Sequence, residues 1–128
     1  MRTLIALTAA VALCASAGAA TAQTLAVKKE ATAEKAGVCF TAATLMKIMV
    51  ENGSDGSEDD KQLLASTQAA VNAWDNYING KGGSFTNAAR TAAANKATGY
   101  QKMMEGQDGV TTVLKDALNE HADCLNYL

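Results

Sequence analysis

One histidine, three cysteines, two methionine pairs and one acidic run are the residues of this chain whose types and spacing could do chemistry. His121 lies seven residues after Leu114 and four before Leu125, on the apolar stripe of a helical segment. Its ordinary reading there is a half-buried imidazole at a bundle edge with a hydrogen-bond partner. The sharper reading is a haem or metal ligand. Thioether sulfur binds Cu(I), so His121 with Met46 and Met49 is the candidate ligand set. Met103 and Met104 form the second pair, and methionines at helical spacing also serve as core filler. The run Asp55-Gly56-Ser57-Glu58-Asp59-Asp60 gathers carboxylates but lacks the alternating ligands, central glycine and final glutamate of a calcium-binding EF-hand loop. Helix capping accounts for it. No GxSxG is present, and no serine is singled out as a partner for His121. The expectation is a protein that is not an enzyme and holds no cofactor.

The cysteines depend on the first 22 residues. Arg2, the apolar stretch Leu4 to Ala15 and the small-x-small Ala20-Thr21-Ala22 read as a secretory signal peptide cleaved before Gln23. Cys14 leaves with it. As an acylated lipoprotein cysteine it is poorly placed, because Leu13 precedes it and the apolar stretch continues beyond it. Cys39 and Cys124 remain, an even pair in an oxidising compartment, and a disulfide between them is expected. The signal holds one of the 11 bases and none of the 13 acids, so the mature part, residues 23–128, carries a net charge of −3. That acidic balance suits neither nucleic acid nor anionic lipid. No mature apolar run reaches the roughly 18–20 residues of a membrane span. The expected product is a single helical domain, exported to a bacterial periplasm or secreted.

The chain contains no proline, which permits long helices, and it is rich in alanine, the best helix former. Four helices are expected between glycine-bearing turns. The first runs from about Ala26 to Glu51, with a possible break at Gly37 and a stripe of Val38, Ala42, Leu45 and Met49. Ser57 caps the second, with Glu58, Asp59 and Asp60 in its first turn. Leu63, Leu64, Thr67, Val71, Trp74 and Ile78 form its stripe, and Gly80 ends it. The third begins near Ser84 or Thr86, buries Phe85, Ala89, Ala92, Tyr100 and Met103, and is open to a kink at Thr98-Gly99. Its alanine face suggests close helix approach or a shallow groove. Asp108 caps the fourth, whose stripe is Val110, Val113, Leu114, Ala117, Leu118, His121, Leu125 and Leu128. In an up-down four-helix bundle the first and last helices are antiparallel neighbours. That brings Cys39 and Cys124 together, as a disulfide requires.

This outline resembles the cytochrome b562 family, periplasmic bundles that ligate haem through a methionine on the first helix and a histidine near the C-terminus. The resemblance implies His121 as the histidine and Met46 or Met49 as the methionine. From a common Cys39–Cys124 origin, however, His121 lies ~4.5 Å into the bundle, Met46 ~10 Å and Met49 ~15 Å at 1.5 Å per residue. Two axial ligands need one level. Cys124 is followed by Leu125-Asn126-Tyr127, so there is no CxxCH haem-attachment motif.

The most distinctive string is Trp74-Asp75-Asn76-Tyr77-Ile78-Asn79-Gly80. It reads as a core anchor with a capping glycine, or as a partner-binding edge, since Trp and Tyr are enriched in binding hot spots. Its Tyr-Ile-x-Gly element resembles, over four positions, the Rap1a-type immunity proteins, small exported helical proteins that neutralise a secreted toxin. Trp74 and Tyr77 of this string, with Tyr100 on the alanine-rich third helix, are the candidate binding residues. The expected function is non-enzymatic binding of another protein or peptide through a helix face, as an inhibitor or immunity-like protein, a chaperone or an envelope adaptor. The alternative is a bundle that binds a small ligand, haem or copper. A homodimer stays open.

Overall fold

Thr32 marks the point where an extended N-terminal segment turns into helix. In the computed structural model, which describes residues 25–128, its Oγ1 accepts a hydrogen bond from Lys35 N at 3.1 Å and α1 spans Ala33–Gly53. A capping hydroxyl satisfies one of the N–H groups that a helix start leaves unpaired. The helix starts later than expected because the segment before it bonds elsewhere. The Lys28 and Lys29 amides donate to the Tyr127 carbonyl at 2.7 and 3.3 Å. Tyr77 Oη accepts from Ala31 N at 3.1 Å and donates to Ala31 O at 3.2 Å. The expected signal peptide and Cys14 lie outside the described residues.

The next helix, α2, spans Glu58–Lys81, and Ser57 Oγ caps it by accepting from Asp60 N at 3.3 Å. It passes Gly80 and stops at Gly82, whose φ of +69° is a conformation that favours glycine. α3 follows at once, Gly83–Met104, and runs unbroken through Gly99. α4 spans Gly109–Leu125. Asp108 precedes it but caps nothing with its side chain, because the residue sits in the left-handed region at φ +61°. Its carbonyl still accepts from Thr112 N at 3.0 Å.

The four helices form the expected up-down bundle, and Cys39 and Cys124 join α1 to the antiparallel α4 with Cα atoms 5.6 Å apart. The bundle is flattened. α1 packs against all three other helices and most closely against α3, its parallel diagonal neighbour, while α2 and α4 scarcely meet. Gly37 and the alanines of α3 cause this. A Cβ on Gly37 would lie 2.2 Å from Ala89 O and 2.9 Å from Ala92 Cβ and Ala93 N. Far from breaking α1, Gly37 is the contact point of the two helices. One turn further along, Thr41 Oγ1 donates across the same seam to Ala93 O at 3.0 Å.

Alanine supplies ten of the 17 buried apolar residues among those described. Trp74, Ile78, Cys39 and Cys124 are the largest side chains fully buried, and they share one cluster. Tyr100, Val113 and Ala117 form a second cluster with Leu45 against it. The expected stripes hold in part. On α1 the buried face is Ala36, Gly37, Cys39, Ala42, Ala43 and Met46, and of the expected set only Ala42 is fully covered. On α4, Val113, Ala117 and His121 are buried, but Val110 and Leu118 are 60% and 43% exposed. Met103 on α3 is also exposed.

Candidate functional site

Trp74 and Tyr77 are held by the end of α2, where the N-terminal segment and the C-terminus close over them. The Trp74 ring meets Tyr77 and Tyr127 edge-on at centroid distances of 6.0 and 5.8 Å, and Tyr77 meets Phe85 likewise at 5.8 Å. Trp74 has no exposed surface. Tyr77 is half-buried and its hydroxyl is committed to Ala31 at both donor and acceptor. The aromatic string is thus a core anchor that staples residues 27–31 to the bundle. Trp74 and Ile78 are sealed in it. Asn76, Asn79 and Gly80 of the same string stay exposed beside the half-buried Tyr77.

Tyr100 is equally enclosed. Its hydroxyl donates to Asp116 Oδ2 at 2.7 Å, and the same oxygen accepts from Lys96 Nζ at 2.8 Å. Lys96 and Lys35 both approach Glu120 at 3.8 Å, and Lys35 also pairs with Asp123. Burial, then the Asp116 hydrogen bond, push the Tyr100 phenol well above its usual range. The Lys96 and Tyr100 hydrogen bonds hold the Asp116 carboxyl below its own. These partly exposed pairs fix the register of α3, α4 and α1 more than they stabilise them. They border an open cleft of about 710 Å³ of mixed lining, with Val38, Ala88 and Ala92 beside Glu34, Asn95 and Lys96, in which the lysine is already paired.

His121 is 8% exposed and its Nδ1 has no hydrogen-bond partner within the protein. It is more deeply placed than the sequence suggests. Met46 is buried on α1 and Met49 half-buried. With the cystine as origin, ideal helical rise sets them ~6 and ~10 Å further along the bundle than His121. Among the described residues no three His, Cys, Asp or Glu side chains converge. Burial pushes the imidazole below its ordinary pKa of 6.5 and keeps it neutral. The unfolded chain therefore binds a proton near pH 6.5 that the folded chain refuses until lower pH. Stability should be at its full value above about pH 6.5 and fall as pH drops through the depressed folded value. Urea midpoints across pH 7.5 to 5 test this. His121→Leu should flatten the profile, and an unchanged slope would refute it. Asp116, also depressed, loses its contribution only below the ordinary carboxylate range.

A second concavity lies along the α1–α3 seam. Phe40, Leu45 and Ile48 on α1 oppose Ala94, Ala97 and Met104 on α3 across a groove of about 430 Å³. The helices that pinch together at Gly37 present only short side chains on α3, and the space above them is the groove. Its two threonine hydroxyls are spent internally, Thr41 on Ala93 O and Thr44 on Phe40 O at 2.8 Å. Tyr100 also lines it with its hydroxyl spent on Asp116, which leaves Gln101 as the lining polar side chain without such a bond. Ile48 and Met104 are 45% and 44% exposed at its upper end. The alanine face of α3 was legible in the sequence as a close contact or a groove, and it is both. The α1 wall had no such signal. Compared with protein-family models, characterised proteins and solved structures, the chain matches none.

Proposed function

We propose that this protein is an exported, non-enzymatic binding protein of a bacterial periplasm that takes an apolar segment of another protein or peptide into the α1–α3 groove. The observation that carries the reading is the groove itself: apolar walls, internally satisfied hydroxyls and uncovered large side chains at Ile48 and Met104. Such a surface gains by being covered, and a helix laid into the groove is one mode that covers it. The Cys39–Cys124 bridge supports export, since oxidising compartments are where disulfides persist. Among the described residues no helix is long and apolar enough to cross a membrane.

Site-specific photo-crosslinking in periplasm tests the reading. A photoreactive side chain at Gln101, in the groove, should give a discrete adduct. The same group at Asn72, exposed on α2, should give none. Equal labelling from both positions, or none from either, would remove the groove as the binding face.

A further inference from the structure

The groove is not electrically neutral at its ends. It runs to the end of the bundle where α1 and α3 finish and α2 and α4 begin. There the exposed carboxylates Glu51, Asp55, Glu58, Asp59, Glu105 and Asp108 outnumber Lys47, Lys61 and Lys102 two to one. Lys47 is moreover held to Glu51 at 3.6 Å. At the other mouth Arg90 lies over the Phe40 ring, 5.2 Å from its centroid, but its charge is met by Asp75 at 2.6 Å. The uncompensated charge around the groove is therefore negative and lies at the Ile48–Met104 end.

We infer that the occupant is a cationic amphipathic segment, its apolar face along Phe40, Ala94, Ala97 and Ile48 and its basic residues toward the carboxylates. This rests on the groove being the binding face. The lining suits an occupant of variable shape, because methionine is flexible and polarizable. A second copy of this chain fits less well. Apart from Leu118 midway along α4, its own large exposed apolar residues among those described, Ile48, Met103, Met104 and Val110, lie at the same acidic end. Pairing two copies through them would set carboxylates against carboxylates, and like charges across an interface suppress association.

Titration of the mature protein with three peptides of one helical pattern tests this: leucine with lysine, leucine with glutamate and leucine with glutamine. The leucine–lysine peptide should bind at least about tenfold more tightly than the glutamate peptide at low salt, with the gap shrinking as salt screens the rim. The double variant Glu105→Gln/Asp108→Asn should weaken only the lysine peptide. Ala97→Arg, at an exposed groove position, should weaken all binding while circular dichroism stays unchanged. If all three peptides bind equally and Ala97→Arg abolishes each, the groove stands and its cationic preference is overturned. If Ala97→Arg changes nothing, both readings fall. Sedimentation showing a dimer that Ala97→Arg dissolves would make a second copy the occupant and overturn the proposal.

Discussion

Replacing Cys39 and Cys124 by alanine should cost about 4–5 kcal/mol of stability by the chain-entropy model, which is its upper figure for a loop this long. The two residues are 85 apart in sequence, so the bridge ties almost the whole folded chain into one loop and removes much of the freedom of the unfolded state. The loss matters more here than in a larger-cored protein. Most of the buried apolar residues are alanines, which remove little surface from water at ~25 cal/mol per Å². Alanine at both positions leaves no buried polar atom, so the effect read is that of the cross-link and a small cavity. The melting temperature should fall by on the order of 20 °C, while far-ultraviolet circular dichroism at low temperature keeps its helical form. Thiol titration of the native protein should find no free sulfhydryl. Two free thiols, or a loss below about 1 kcal/mol, would show that the bridge does not hold the bundle.

Gly37→Ala and Gly99→Ala should move stability in opposite directions. Both glycines lie inside helices, where alanine is intrinsically better by about 1 kcal/mol. Around Gly99 a Cβ would meet nothing within 4 Å, so its replacement should stabilise by roughly that amount. At Gly37 the same methyl group would lie 2.2 Å from the Ala89 carbonyl. Backbone cannot rotate away as a side chain does, so α1 and α3 must separate. Overpacking of that kind costs about 1–3 kcal/mol; set against the propensity gain of about 1 kcal/mol, a net loss of about 1 kcal/mol is expected. Urea denaturation of the two variants measures both signs. If Gly37→Ala is as stable as the parent, the close α1–α3 contact is wrong, and with it the shape of the groove beside it.

The helices themselves were written in local sequence. Ser57 and the three acids after it mark a helix start because capping and dipole effects act within one turn. The disulfide was legible as well, since only two cysteines remain once Cys14 is assigned to a leader, and an antiparallel first and last helix puts them together. Three features were not. Thr32 rather than Ala26 begins α1 because Tyr77 and Tyr127, far away in sequence, take up the backbone of residues 28–31. Trp74 reads from its helical spacing as a core anchor, with a binding edge as the other reading, and the closure of the chain ends over it is what buries it completely. The groove and the seam were inseparable in the sequence because both are made of alanine. Ala42 and Ala89 are sealed between helices while Ala94 and Ala97 lie open. Hydrophobic periodicity reads differences between side chains, and a methyl group gives nearly the same signal in either place. What distinguishes them is how near a second helix comes, and Gly37 sets that distance only once α1 and α3 are side by side.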